Sequence, residues 1–137
     1  MDNAKTVLQG LNVLAVEDNE LNAEILKELL DMEGAQCDLA ENGKIGLEMF
    51  EASQPGQYDV ILMDVQMPVM DGHQAARAIR RSSHPDAKRI PIAAMTANAF
   101  AEDVEAALAA GMDAHVAKPV DLDVLKTTLF RILKQRS

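Results

Sequence analysis

Short apolar runs alternate with longer segments of helical periodicity along almost the whole chain. The apolar runs predict five strands, at about residues 11–17, 35–40, 58–63, 90–95 and 113–117. Between them, apolar residues recur at the spacing of one helix face, beginning with Leu21, Ile25, Leu29 and Met32. The third run is apolar at successive positions, which is typical of a central parallel strand buried on both faces. The pattern therefore predicts five consecutive strand–helix units.

Capping and turn residues predict where the helices begin and end. The predicted starts of the last four helices are Asn42-Gly43, Asp71-Gly72, Asn98 and Asp121. The predicted ends of the first four helices are Gly34, Pro55-Gly56, Ser82-Ser83-His84-Pro85 and Gly111. Strand–helix–strand units of this length connect parallel strands through right-handed crossovers. We therefore predict an α/β fold, a doubly wound five-stranded parallel sheet with helices on both faces.

The length of 137 residues is that of a single domain, by a prior of about 100–200 residues per domain. Residues 1–10 are polar and lack periodicity, so we interpret them as a frayed lead-in or the end of a linker, with the domain at 11–135. We expect no effector domain on this chain, because little sequence follows the fifth predicted helix. No stretch approaches the ~18 apolar residues of a membrane span, and no signal peptide is recognisable. We expect a cytoplasmic protein without direct membrane contact.

The charge balance argues against a nucleic-acid-binding protein. Thirteen basic and 22 acidic residues give a net charge of −9, which disfavours phosphate backbones. There is no Trp and one Tyr, so stacking platforms for single strands are missing. The single cysteine, Cys37, excludes an internal disulfide. The densest basic stretch is interpreted as a solvated helix end and the loop after it; it contains Arg77, Arg80, Arg81, Lys88 and Arg89.

Polar side chains stand at the C-terminal ends of four predicted strands: Glu17, Asp18, Asp64, Thr96 and Lys118. These ends meet at one edge of a parallel sheet, where ligands of open α/β sheets bind, so we expect the side chains to converge. Three clustered carboxylates repel one another and call for cations, and Mg²⁺ prefers oxygen ligands. An ionised carboxylate can also attack phosphorus. The sequence therefore predicts a divalent-cation site that handles a phosphoryl group.

Simpler interpretations of these residues stay open. Asp18 and Asn19 are both good N-caps for the following helix. Asp64, which precedes Val-Gln-Met-Pro, could be a turn residue, and Thr96 could be a solvent-facing strand end. Lys118 is the least easily explained in this way, because a lysine beside three carboxylates would pair with them.

Four motifs at these positions resemble the receiver domain of two-component response regulators. They are Val-Glu-Asp-Asn at 16–19, Leu-Met-Asp-Val-Gln-Met-Pro-Val-Met-Asp-Gly at 62–72, Met-Thr-Ala-Asn-Ala at 95–99 and Lys118-Pro119. The resemblance covers about residues 10–134 and implies a flavodoxin-like fold. Three segments are most similar to the receivers of hybrid sensor histidine kinases: Glu-Asp-Asn-Glu-Leu-Asn at 17–22, Met-Thr-Ala-Asn-Ala at 95–99 and Gly-Met-Asp-Ala-His at 111–115.

The resemblance implies a role for each residue of the phosphoryl site. Asp64 would accept a phosphoryl group from a phosphohistidine on a partner, Thr96 would donate its hydroxyl to a phosphoryl oxygen, and Lys118 would neutralise charge. The Lys118-Pro119 peptide bond would be cis. The domain would catalyse only its own phosphorylation and dephosphorylation, while a partner or attached histidine kinase is the enzyme.

The resemblance also implies a metal and partner proteins. Mg²⁺ would be bound by Asp18, Asp64 and the backbone carbonyl of Gln66, with Glu17 acting mostly through water. The partners would be a histidine kinase, a histidine phosphotransfer domain or both, with a weak homodimer as a further expectation. The domain would relay the phosphoryl group or signal through the surface of the fourth helix, fifth strand and fifth helix. His115 stands where the family usually has a Tyr or Phe that switches, and its role is open.

Two other classes of protein fit the sequence less well. A phosphatase of the haloacid dehalogenase type would carry a second Asp two residues after the nucleophile, where this chain has Gln66. A flavin- or nucleotide-binding domain would need a glycine-rich phosphate loop after the first strand, and none is present. Whether the receiver stands alone or belongs to a longer hybrid kinase is open at this point.

Overall fold

A computed structural model describes residues 4–65, 67, 69–97 and 101–136. Within them, five parallel strands form one sheet in the order β2-β1-β3-β4-β5. The strands are β1 (Asn12–Val16), β2 (Gln36–Ala40), β3 (Val60–Asp64), β4 (Ile92–Thr96) and β5 (Ala114–Ala117). The helices are α1 (Glu20–Met32), α2 (Gly43–Ala52), α3 (Gly72–Arg81), α4 (Ala101–Ala109) and α5 (Leu122–Arg136). The predicted alternation of five strands and five helices is confirmed.

Helices cover both faces of the sheet, and each face has its own apolar core. Ile61 and Met63 of β3 belong to the core shared with α2, α3 and α4, which includes Phe50 and Ile79. Val60 and Leu62, at the alternate positions of β3, belong to the core shared with α1 and α5, which includes Leu26, Leu30, Leu125 and Leu129. Successive strand residues point to opposite faces, so the apolar run at β3 supplies both cores. The doubly wound fold class is confirmed.

Two strands end one residue later than the sequence predicts. Asp64 and Thr96 are the last residues of β3 and β4, because the ladder continues through them. The amide of Val65 donates to the carbonyl of Met95, and that of Lys118 donates to the carbonyl of Thr96. The backbones of Asp64 and Thr96 are therefore held by the sheet rather than by a loop.

The helix starts follow the predicted caps where the structure describes them. The side chains of Asn19, Asn42 and Asp71 accept hydrogen bonds from backbone amides three residues later. Asn98, the predicted cap of α4, lies outside the described residues. Helix α2 ends at Ala52, earlier than the predicted Pro55-Gly56. None of the helices described is long and apolar enough to cross a membrane.

Residues 4–10 pack against the domain, which corrects the expectation of a frayed lead-in. A 3-10 helix spans Ala4–Thr6, and the side chain of Leu8 is fully buried in the core shared with α1 and α5. The amide of Gly10 donates to the carbonyl of Gly34 at 2.9 Å. Two adjacent apolar residues, Val7 and Leu8, have no periodicity in a polar stretch, so pattern reasoning misses their packing on this core. The predicted domain boundaries at 11 and 135 stay a prediction.

Arg80 is not part of a solvated helix end, in contrast to its interpretation from the sequence. Its guanidinium donates to the carbonyls of Gly111, Ala87 and Ile90 at 2.7–3.0 Å and to the carboxylate of Asp113 at 3.0 Å. The guanidinium has five N–H donors in a fixed plane, which suits several carbonyls at once. Arg80 thus fastens the end of α3 to the edge of the sheet opposite the candidate site.

Candidate functional site

The side chain of Lys118, at the end of β5, bridges residues from two other strands. Its Nζ lies 2.9 Å from Oδ2 of Asp64 and 2.8 Å from Oε1 of Glu17. Lys118 is fixed by its own amide, which donates to the carbonyl of Thr96 at 2.8 Å, and its peptide bond to Pro119 is cis. The predicted convergence of the ends of β1, β3 and β5 is therefore confirmed.

Burial sets the electrostatics of this cluster. Asp64 and Glu17 are 3% and 4% exposed. Burial, together with the hydrogen bond and charge of Glu17, raises the pKa of Asp64 to about 7, although Lys118 acts in the opposite direction. Burial also opposes ionisation of Glu17, but hydrogen bonds from Asp64, Lys118 and the Asn19 amide outweigh it and lower the pKa of Glu17. The two opposite pKa shifts mean that a proton shared by this pair is held more strongly by Asp64 than by Glu17.

The lysine itself stays charged. Burial alone would lower the pKa of Lys118, but its contacts with the carboxylates of Glu17 and Asp64 outweigh burial and raise that pKa. Two carboxylates on one ammonium are a strong attraction in a partly buried place, where water screens less. The ammonium is consequently a permanent positive charge next to Asp64.

Three carboxylates can place oxygens around one cation. Glu17, Asp18 and Asp64 each offer an oxygen atom, and the three atoms lie within 4.8 Å of one another. The side chain of Asp18 is exposed. The N-cap of α1 is Asn19, whose side chain accepts a hydrogen bond from the amide of Asn22 at 2.9 Å. The capping interpretation of Asp18 is thus wrong, and its carboxylate is available to the cleft. The carbonyl of Gln66, the fourth predicted ligand, lies outside the described residues.

One cleft contains all the candidate side chains that the structure describes. It has a volume of about 210 Å³ and is lined by Glu17, Asp18, Asn19, Asn22, Asp64, Thr96, Ala97 and Lys118. Thr96 is largely buried at the end of β4, so the interpretation as a solvent-facing strand end is wrong. A hydroxyl, an ammonium and three carboxylates therefore surround a space that fits a metal-bound oxyanion.

Residues 13–130 match the family model of the response regulator receiver domain. The chain belongs to this family. It is 42% identical over 133 residues to hybrid signal transduction histidine kinase G of Dictyostelium discoideum, covering 96% of this chain and 4% of that protein. The chain spans between 4% and 15% of the length of the curated relatives that it matches here, which are histidine kinases or sensor proteins.

Two solved structures resemble this receiver domain closely. One is the receiver domain of sensor histidine kinase PA1611 from Pseudomonas aeruginosa, which has a magnesium ion coordinated in its active site cleft. It superposes with a TM-score of 0.80 at 37% identity, covering 91% of this chain and 98% of that one. The other is the receiver domain of Saccharomyces cerevisiae Ssk1, solved in complex with the histidine phosphotransfer signaling protein Ypd1. It superposes with a TM-score of 0.78 at 30% identity, covering 93% of this chain and 92% of that one. The chain is thus a receiver domain by sequence and by fold.

Gly72 lets the backbone after Asp64 fold back tightly in this receiver domain. A Cβ at position 72 would lie 2.3 Å from the carbonyl oxygen of Asp64 and 2.9 Å from Cα of Val65. The amide of Gly72 donates to the carbonyl of Val65 at 3.0 Å, and Asp71 caps α3 through a reciprocal capping box with Gln74. Glycine is needed here because the backbone at the acceptor candidate leaves no room for a side chain.

Sequence reasoning missed an apolar groove that adjoins the cleft of the receiver domain. The groove has a volume of about 330 Å³ and shares Glu17, Asn22 and Lys118 with the cleft; its other lining residues are Ile25, Leu26, Leu29, Met95, Pro119 and Val120. It forms where α1 meets the segment after β5. Asn22 appears in the motif at 17–22, but nothing in the sequence indicates that it stands between two cavities.

The raised pKa of Asp64 predicts that the stability of the metal-free receiver domain falls as pH rises from about 4 to about 7. In this window the folded state holds a proton on Asp64 that the unfolded chain, with a pKa of 3.8, has already lost. The contribution of this group to the free energy of unfolding is therefore fully present below about pH 4. It is lost as the pH rises through the folded pKa. Mg²⁺ would bind the ionised carboxylate, so it should stabilise more at pH 8 than at pH 5.

Thermal unfolding at both pH values, with Mg²⁺ and with a chelator, measures this effect. We expect the Mg²⁺-dependent rise in Tm to be larger at pH 8, by on the order of 5 °C. The Asp64→Asn variant is the control, because it lacks the titrating group and should lose the difference. An equal effect of Mg²⁺ at both pH values in the unmodified protein would contradict the assignment.

Proposed function

We propose that Asp64 is the phosphoryl acceptor of this receiver domain and that it takes the group from a phosphohistidine on a partner. One observation carries the proposal: the Asp64 carboxylate lies in the cleft 2.9 Å from the ammonium of Lys118. A bond forms between an Asp64 carboxylate oxygen and phosphorus while the phosphorus–nitrogen bond breaks, and the electron pair of that bond stays on the imidazole. The product is an acyl phosphate on Asp64.

Lys118 and Thr96 would act on the charge of the phosphoryl group. Phosphoryl transfer needs little covalent chemistry from the protein beyond alignment and neutralisation of charge. The ammonium of Lys118 is already held against Asp64 by its own backbone hydrogen bond, so it is in place before the donor arrives. The hydroxyl of Thr96 lines the same cleft and can donate to a phosphoryl oxygen. A preorganised cation and donor cost no rearrangement during the reaction.

Mg²⁺ is the metal that this site fits best. Asp18 and Asp64 would hold it directly with the carbonyl of Gln66, and Glu17 would act through water, because Glu17 is occupied by Lys118. The oxygen-only set of Glu17, Asp18 and Asp64 matches a hard cation that keeps several waters. The magnesium ion in the similar PA1611 receiver domain supports the choice. When bound, Mg²⁺ neutralises charge on the phosphoryl oxygens.

The partner would be a histidine kinase, a histidine phosphotransfer domain or both. The complex of the similar Ssk1 receiver domain with Ypd1 supports a phosphotransfer domain. The domain would catalyse only its own phosphorylation and dephosphorylation, and it would relay the group or signal through α4, β5 and α5. Phosphorylation adds roughly two negative charges next to Thr96, whose strand leads into α4. A coupling of ~1–3 kcal/mol to that surface is enough to change the affinity for a partner.

Labelling with acetyl phosphate and Mg²⁺, followed by intact mass measurement, tests the proposed function. We expect one phosphoryl group per chain, dependent on Mg²⁺, with slow release of phosphate afterwards. Rapid and sustained release of inorganic phosphate would instead indicate a phosphatase. Absence of any Mg²⁺-dependent label on the folded protein would contradict the proposal as a whole.

A further inference from the structure

Asn22 occupies the rim that the acidic cleft shares with the apolar groove. It lies in the first turn of α1, where its backbone amide donates to the side chain of Asn19 at 2.9 Å. Its side chain is exposed and lines both cavities. Among the described residues, its side-chain amide makes no hydrogen bond. Within the described part of the chain, the amide is therefore a donor and acceptor without a hydrogen-bond partner.

The other two residues that line both cavities are already engaged with each other. Glu17 and Lys118 form an ion pair at 2.8 Å, so their polar atoms face inward to the cluster with Asp64. The groove beyond them is apolar, with Ile25, Pro119 and Val120 among its lining residues. A ligand that reaches Asp64 from this side would meet a polar amide first and an apolar wall behind it.

The chemistry of the transfer specifies what this rim should contact. The attacking and leaving atoms are roughly in line across phosphorus, so the leaving group lies on the side of the phosphoryl group away from Asp64. For a phosphohistidine donor the leaving group is an imidazole, a flat ring with apolar faces and polar nitrogen atoms. The rim of Asn22 and the groove offers both kinds of contact.

We propose that Asn22 is a specificity-determining residue that binds the imidazole of the phosphoryl donor. The proposal rests on the proposed function of Asp64 and deepens it by naming what recognises the leaving group. As the phosphorus–nitrogen bond breaks, its electron pair stays on that nitrogen, and the ring leaves as neutral imidazole when its other nitrogen carries a proton. The Asn22 side chain, which both donates and accepts, binds the ring through one of these nitrogens.

Two small donors that differ in their leaving group test the inference without a partner protein. Phosphoimidazole releases imidazole, whereas acetyl phosphate releases acetate. We expect Asn22→Ala to lower the second-order rate constant of Mg²⁺-dependent labelling by phosphoimidazole about 3- to 10-fold, the range of one net hydrogen bond. The rate constant with acetyl phosphate should change less than 2-fold. The variant should keep its Tm, because the side chain is exposed and makes no hydrogen bond to the residues that the structure describes.

Glu28→Ala is the matched control, since Glu28 is an exposed residue of α1 that lines neither cavity. It should leave both rate constants unchanged. The inference is overturned if Asn22→Ala leaves the phosphoimidazole rate unchanged, or if it slows both donors equally. Labelling of the unmodified protein by acetyl phosphate in the same series would show that the acceptor function stands even when the inference about Asn22 fails.

Discussion

Replacing Asp64 with Asn is expected to abolish phosphate uptake while the fold stays intact. The amide has the shape of the carboxylate but is a poor nucleophile, so the loss in rate should be at least about 10³-fold, the order seen when essential groups of enzymes are removed. The folded state should tolerate the change, because an amide at position 64 can donate a hydrogen bond to the buried carboxylate of Glu17, which already contacts Asp64. Intact mass after incubation with acetyl phosphate and Mg²⁺ measures the loss.

The control for this variant is Asp123→Asn, which makes the same chemical change at an exposed position in the first turn of α5. It should be labelled as fast as the unmodified chain. If the Asp64→Asn protein takes up one phosphoryl group per chain at the normal rate, the acceptor lies elsewhere. Circular dichroism of both variants shows whether the fold is retained.

The convergence of the site could be predicted from the sequence because a parallel sheet imposes it. Each polar residue follows an apolar run, and all parallel strands end at the same edge. The register places Asp64 of β3 beside Met95, and Thr96 beside Ala117, the residue before Lys118. Once the runs were recognised as parallel strands, no further information was needed to bring the ammonium and the carboxylates together.

Side chains that act through tertiary partners could not be predicted in this way. Arg80 contacts Gly111 and Asp113, which are more than thirty residues away along the chain, so its local pattern is that of any basic helix end. Leu8 is buried against α5, whose residues lie more than a hundred positions later. Periodicity describes a residue's own element, whereas these contacts depend on how distant elements pack.

The competition between Asp18 and Asn19 shows the same limit at the site itself. Both residue types are good N-caps, so the sequence leaves the cap undecided. The structure assigns it to Asn19, whose backbone is extended and whose side chain accepts from the amide of Asn22. Because Asn19 is the cap, the carboxylate of Asp18 lines the cleft together with those of Glu17 and Asp64.

Replacing Lys118 with Met is expected to slow phosphoryl transfer about 10²- to 10³-fold at saturating Mg²⁺. Met keeps most of the apolar stem but removes the charge that faces the developing charge on phosphorus, and preorganised donors of this kind account for losses of that order. The variant should also unfold at a lower temperature without metal, because the buried carboxylate of Glu17 loses its ion pair. Mg²⁺ should restore part of this stability, since it supplies positive charge to the same carboxylates.

These two readouts separate a role in transfer from a role in folding. If Lys118 served only to hold Glu17 and Asp64 together, saturating Mg²⁺ would recover the labelling rate along with the Tm. If it neutralises the phosphoryl group as proposed, the rate stays low after the Tm has recovered. Lys44→Met, an equal loss of charge at an exposed position in α2, should change neither quantity. If the labelling rate of Lys118→Met is within about 3-fold of the unmodified protein, the proposed role of Lys118 in charge neutralisation is wrong. Removing a preorganised group that stabilises the transition state lowers the rate far more than this.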